Sequence, residues 1–276
     1  MKIYLDEGRK TMIDCHIHLE RGPYTIEWLN KFVETAANRG INEIYLLEHS
    51  HRFIEFIPMY EPICTYSEYQ REWFKRKNDG ILSIKRYIDF VQEAKQILYP
   101  IKVKFGLEVC YFEDYERLIK DVVGCYPFDF ITGSVHWVDG FGFDHKKELW
   151  SKIDVDKTYK RYFEIMQKLI ESNLFTGVAH PDSIKVFGNK PSYELRDTYK
   201  KIADLLCKYN MYAEQSGGLY LNYGKDCELG MNMIMLKVLL DKGVKILTAS
   251  DAHSPNDVGA NIIELQNIIY NLIETN

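Results

Sequence analysis

Hydrophobic positions along the chain fall into two kinds of run. Short apolar runs read as buried strands, and longer runs with apolar residues three and four apart read as amphipathic helices. The short runs place strands at residues 12–18, 43–48, 102–110, 128–135, 175–179, 211–215 and 245–250. The longer ones place helices at 25–39, 83–98, 114–123, 156–171, 192–209, 231–242 and 258–274. Gly40 and Gly243 stand where two of these helices should stop. Strict alternation of strand and helix implies a parallel sheet. Residues 51–80, rich in Tyr, Phe and Pro, interrupt the pattern and read as an inserted loop covering one end of the sheet. No repeat, low-complexity tract or linker divides the chain, so residues 1–276 are expected to form a single domain.

Parallel β/α folds gather their chemistry at the carboxyl ends of the strands. Here those ends read Asp14-Cys15-His16-Ile17-His18, Glu48-His49-Ser50-His51, Glu108, Ser134-Val135-His136, His180-Pro181-Asp182, Glu214-Gln215-Ser216 and Asp251-Ala252-His253. Of the 8 histidines, only His145 lies elsewhere. An open doubly wound sheet collects its site at one or two switch points. A ring of polar residues drawn from nearly every strand fits a barrel.

Residues two apart in a strand share a face, so His16 and His18 can reach one ion together, and Asp251 and His253 repeat the spacing. Each motif alone has an ordinary explanation. An H-x-H is usually incidental, His-Pro-Asp makes a good turn, and Asp251 could cap the last helix. All of them at one end of one barrel point instead to a shared metal site. The donors outnumber the four that a single zinc ion takes, which implies two or three divalent ions. Imidazole and carboxylate donors suit zinc, manganese or iron. His145 reads as a loop contact, and the run Tyr159, Tyr162, Phe163 as helix packing.

Composition narrows the partners. A net charge of -5 supplies no basic field for nucleic acid. The first 14 residues have no apolar leader, and the longest apolar run, around 231–240, is too short to span a bilayer. The 6 cysteines form no C-x-x-C pair, and several lie in apolar runs, as expected of a cytoplasmic protein with reduced thiols.

With these motifs in order, the chain resembles the PHP (polymerase and histidinol phosphatase) family over essentially its whole length. The resemblance runs from D-x-H-x-H through E-H, G-L-E, G-S-V-H-W and A-H-P-D to S-D-A-H-x-P-x-D-V-G. It is strongest to the stand-alone histidinol-phosphate phosphatases. It implies a distorted (β/α)7 TIM-like barrel and metal-dependent hydrolysis of a small phosphate monoester, L-histidinol phosphate above all. By the same resemblance His16, His18, Glu108 and Asp251 hold one ion, Glu108, His136 and His180 a second, and His49 and His253 a third. Asp14 would orient a ligand histidine. Glu108, His49 and His253 would act in catalysis, through ion placement and as general acid or third-ion ligands.

Two departures stand out. Relatives with a complete third site usually carry a histidine six residues after the H-x-H, where this chain has Tyr24, so the third site is incomplete, empty, or completed by another group such as Glu20 or His51. The phosphatases often carry an Arg after Ser-Gly on the sixth strand, and the segment here runs Ser216-Gly217-Gly218-Leu219-Tyr220. Arg52, His51, Lys185 and Lys225 are the substitutes for a phosphate contact, with Lys185 best placed in sequence. Alternative readings are a PHP phosphoesterase for a sugar, nucleotide or oligonucleotide ester, and a non-catalytic PHP module. An amidohydrolase would bring a Lys at a strand end, and no strand here ends in one.

Overall fold

The computed structural model describes residues 11–274; residues 1–10, which hold most of the segment read as lacking a leader, and 275–276 lie outside the described residues. Seven parallel strands run in chain order around a nearly closed barrel: β1 (Ile13–Ile17), β2 (Glu43–His49), β3 (Lys102–Cys110), β4 (Phe130–Ser134), β7 (Gly177–Val178), β8 (Tyr212–Ser216) and β9 (Ile246–Ala249). β5 (Trp137–Val138) and β6 (Phe141–Gly142) form a small antiparallel hairpin after β4.

Helices cover the outside: α1 (Ile26–Asn38), α5 (Ile84–Ala94), α6 (Glu116–Gly124), α7 (Val155–Glu171), α8 (Arg196–Lys208), α10 (Met233–Asp241) and α11 (Ile262–Glu274). Polar side chains start several of them, as helix N-termini need. Thr25 accepts from Trp28 N–H, Ser83 from Lys85 N–H, Asp154 from Lys157 N–H, and Asn232 from Ile234 and Met235.

Alternation along the strands separates two apolar layers. Ile44, Leu46, Phe105, Leu107 and Ile131 face the helices in the main core. Cys15, Tyr45, Leu47, Phe130, Tyr212, Leu247 and Ala249 fill the barrel interior. Continuing the inner parity past that plug brings in His49, Glu108 and Glu214. β1 reaches the same layer differently. Its pairing with β2 runs Asp14↔Ile44 and then Ile17↔Leu46, one extra residue on β1. This bulge lets Cys15 pack in the plug while His16 and His18 still join the inner layer, a usual role for bulges beside active sites.

The barrel closes between β9 and β1 through side chains more than through a ladder. A single bridge joins Ile17 and Ala252, with His18 N–H donating to Ala252 O at 2.8 Å. Asp14 seals the seam, accepting from Ser250 N–H (2.8 Å), Ser250 Oγ (2.6 Å) and Gly259 N–H (2.8 Å). Burial raises its carboxyl pKa to about 6 against these hydrogen bonds.

The segment 51–80 departs from the loop expected of it. It folds into two 3-10 turns followed by α2 (Ile57–Tyr60), α3 (Ile63–Tyr66) and α4 (Glu68–Lys77). α2 and α3 are too short to show a helical repeat, and α4 is mostly polar, with few apolar positions to mark one. These pieces are held by Tyr60 and Phe56 in the core, and by Gln70, which donates to Ile63 O (3.1 Å) and Gly140 O (2.7 Å). A further short helix, α9 (Gly218–Tyr223), follows β8. Among the described residues no helix is long and apolar enough to cross a membrane.

Candidate metal centre

The strand ends converge on Glu108, which is 2% exposed at the centre of the inner layer. Its Oε1 lies 3.0 Å from His136 Nε2 and 3.2 Å from His180 Nε2. Its Oε2 lies 3.3–3.6 Å from the Nε2 atoms of His49, His16 and His18. Asp251 Oδ1 is 3.7 Å from His16 Nε2 and 3.6 Å from His18 Nε2.

These separations test whether the residues fit divalent ions. Glu108 Oε2 is buried and has no hydrogen-bond partner among the described residues, although three imidazoles surround it. Distances of 3.3–3.7 Å exceed the roughly 2.7–3.2 Å of a good N–H···O hydrogen bond. They match the roughly 3.3–3.4 Å between neighbouring ligand atoms at a tetrahedral ion with bonds of about 2.0–2.1 Å. The donor set is His and carboxylate, and three-residue clusters occur at His16, His18 and Asp251, at His16, Glu108 and His180, and at His18, His49 and His253. The residues fit.

The protonation pattern agrees. Burial pushes the His16 imidazole down, but Glu214 and Glu108 outweigh it and hold the group well above its ordinary range. His18 is driven well below its range by burial and by His49 and His253. His16 Nε2 and His18 Nε2 lie 2.9 Å apart, so a single proton or an ion can be shared between them. Burial works against Glu108 ionising, yet the surrounding histidines hold its carboxyl well below the usual carboxylate range. Asp251 is likewise held low, with His18 and His16 overcoming burial.

The backbone is shaped to present these donors. His180 (φ 28°) and Asp251 (φ 57°) both occupy left-handed conformations that non-glycine residues rarely adopt. Gly218 is required beside them, because a Cβ there would overlap the Asp251 carboxylate.

Two orienting carboxylates were not singled out from the sequence. Glu214 holds His16 Nδ1 with both oxygens at 3.0 Å. Asp144 Oδ2 holds His136 Nδ1 at 2.7 Å. Asp14, expected to orient a ligand histidine, spends its carboxylate on the β1–β9 seam instead. That role needs no contact with an imidazole ring.

The third cluster is also changed. Tyr24 turns into the core, its ring 5.3 Å from Tyr87 and 5.7 Å from Phe90. Glu20 takes the polar position, with Oε2 3.0 Å from His49 Nδ1 and Oε1 3.9 Å from His253 Nε2. The rings of His49 and His253 stack against His18 at 4.0 and 4.5 Å.

A cavity of about 340 Å³ opens onto Glu108, His136, His180, Asp251 and His253, within the range of small-molecule sites. Its wall comes from the helical segment and the hairpin. Trp73 lies 5.4 Å from His51 and 4.7 Å from His145, and Trp137 lies 5.7 Å from His145. His145 is thus part of the cavity wall rather than a remote loop contact. The expected phosphate contacts divide. His51 lines the cavity, while Lys185, Arg52 and Lys225 do not. Lys185 is held by Asp182 and Glu228, both at 2.8 Å. Arg52 faces Glu20 at 4.0 Å, and Lys225 is exposed.

A PHP domain model matches residues 14–216, and the chain belongs to that family. A probable histidinol-phosphatase of Deinococcus radiodurans is 22% identical over 260 residues, covering 90% of this chain and 88% of the relative. A probable histidinol-phosphatase of Schizosaccharomyces pombe is 24% identical over 193 residues, 64% of this chain and 63% of the relative. Among solved structures, histidinol phosphate phosphatase from Lactococcus lactis, complexed with zinc, L-histidinol and phosphate, superposes with a TM-score of 0.67 at 18% identity, covering 95% of this chain and 94% of that one. It has the same barrel fold.

Proposed function

We propose that this protein is a metal-dependent phosphomonoesterase that converts L-histidinol phosphate and water to L-histidinol and phosphate, the step used in histidine biosynthesis. The observation that carries the reading is the division of Glu108, one oxygen facing His136 and His180 and the other facing His16, His18 and His49. One carboxylate so shared would keep two divalent ions, zinc, manganese or iron, side by side. Such ions, when bound, activate a water at neutral pH and neutralise charge on the phosphoryl oxygens.

The chain's own groups supply the rest. His16, His18 and Asp251 would hold one ion, and His136 and His180 the other, with Glu214 and Asp144 fixing the Nδ1 protons so that Nε2 faces inward. His49 and His253 flank His18 and would serve the leaving oxygen. As the P–O bond to the alcohol breaks, that oxygen takes a proton from one of them, or they hold a third ion there with Glu20. The wall of Trp73, Trp137 and His145 offers flat surfaces for the imidazole of the leaving group. The free thiols of all 6 cysteines suit a reducing cytoplasm. The names of the relatives from Deinococcus radiodurans and Schizosaccharomyces pombe support the substrate.

The test is phosphate release from L-histidinol phosphate by protein loaded with zinc or manganese, and by the same protein after chelation. Release that stops on chelation and returns with metal is expected. Equal release by chelated protein would remove the metal from the mechanism.

A further inference from the structure

A phosphate monoester carries up to two negative charges, and the cavity that would receive it is lined by Glu108, Asp144 and Asp251. Metal ions would offset these carboxylates on the inner side. The outer oxygens of the phosphoryl group still need donors, and none of the cations favoured by sequence position lines the cavity.

Two other cations do. Among the described residues, Arg21 and Lys77 are the Lys and Arg side chains that line it. Arg21 lies just after β1, next to Glu20, and Lys77 is the last residue of α4. Neither has a carboxylate within ion-pair distance among the described residues, unlike Lys185 and Arg52, so their charge is not already spent. Lys77 is half-buried, and its charge acts on Glu20, His51 and His145. His51 shares this side of the cavity. It is 6% exposed, and its Nε2 is buried without a hydrogen-bond partner among the described residues. An orphaned buried nitrogen in a cavity wall is open to a polar ligand, a water or an ion, and His51 also stands with Glu20 and His49 as a candidate ion cluster.

We infer that Arg21 and Lys77, with His51 Nε2, form the phosphate-binding edge of this cavity and hold the phosphoryl oxygens turned away from the metal ligands. The inference rests on the phosphoesterase reading but adds Arg21 and Lys77, to which that reading gives no role. Lys77 comes from the helical segment inserted after β2. Phosphate binding would therefore tie that segment to the barrel and shape the wall that meets the rest of the substrate. Lysine and arginine contribute differently, as a point charge and as a planar fork that can take two oxygens at once.

The test measures the Kd of inorganic phosphate by calorimetry on metal-loaded protein, together with KM and kcat for L-histidinol phosphate. The variants are Lys77→Met, Arg21→Met, the double variant, Lys77→Arg, and Lys120→Met on the outer face of α6 as a control. Each single Met variant should raise the phosphate Kd and KM by about tenfold, as loss of a charge-assisted contact does, with a smaller change in kcat and unchanged metal content. The double variant should lose more, Lys77→Arg should recover most of the affinity, and Lys120→Met should match wild type. A double variant that binds phosphate within twofold of wild type overturns the proposal. Because phosphate binding is read without turnover, wild-type protein that binds phosphate through these residues but cleaves no ester would refute the phosphatase reading and leave the edge standing.

Discussion

Glu214 grips His16 through both carboxylate oxygens, each 3.0 Å from Nδ1. Both groups are fully buried, so this contact decides which way the imidazole presents its other nitrogen. With the Nδ1 proton directed at Glu214, Nε2 is aimed at Glu108 and Asp251. The Glu214→Gln variant should keep its fold, because the amide is nearly the same size. It should lose about 10- to 100-fold in metal affinity, the usual cost of removing an orienting carboxylate. Competition against a calibrated chelator reads this directly, and an unchanged affinity would mean that Glu214 is only packing.

Glu108 is the shared element, and glutamine cannot replace it, since its amide nitrogen offers no lone pair. Glu108→Gln should bind at least one ion fewer per chain by elemental analysis. It should also lose about two to three orders of magnitude in turnover, on the scale of removing one preorganised electrostatic group. Full metal content with full activity would refute the two-sided role of this carboxylate.

The metal-free protein should show a pH signature at His136. Burial pushes this imidazole down, but Asp144 and Glu108 outweigh it and raise the pKa from 6.5 to about 10. A raised folded-state pKa means that the folded protein binds the proton more tightly than the unfolded chain. The resulting stabilisation is present below pH 6.5 and is lost as pH climbs to about 10. Thermal unfolding in the presence of chelator should therefore show Tm falling across that window, and Asp144→Asn should flatten the fall. Loading with metal across the same window should release protons, because His136 must give up its proton to coordinate.

The aromatic wall should act on specificity. Trp73 is half-buried and touches both His51 and His145. Trp73→Ala should raise KM for L-histidinol phosphate by roughly tenfold, the scale of one lost aromatic contact, and change turnover of a small aryl phosphate much less. Equal losses on both substrates would place the wall's effect in stability rather than recognition.

Much of the barrel could be read from sequence because parallel strands are buried on both faces and give continuous apolar runs. The strand at 102–110 and the ends of α7 come within a residue of their positions in the structure. The candidate ligands were legible because they sit in or just after such runs, at the carboxyl ends of the strands. Glu214 stood at a strand end in the sequence but was given no role, because nothing in its run says that it faces an imidazole rather than an ion. Asp144, Arg21 and Lys77 lie outside the strands, in loops or at a helix end, where no periodicity says which way a side chain points. Asp14 misled for a related reason. The family resemblance implied that it orients a ligand histidine, whereas the barrel seam, visible only once β9 meets β1, claims the carboxylate. The 51–80 segment was read as a loop because α2 and α3 are a single turn each and α4, though ten residues long, is mostly polar and carries little apolar pattern.

The most direct test of the account compares kcat/KM for L-histidinol phosphate, a sugar phosphate, a nucleoside monophosphate and a generic aryl phosphate, using protein whose metal content is assayed in the same sample. The nucleotide belongs in the panel because the wall of Trp73 and Trp137 would also stack a base. The account predicts that L-histidinol phosphate is preferred by about a hundredfold or more, equivalent to roughly 2.7 kcal/mol of discrimination, with two or three ions per chain. Metal-loaded protein that releases phosphate from none of these esters would contradict it.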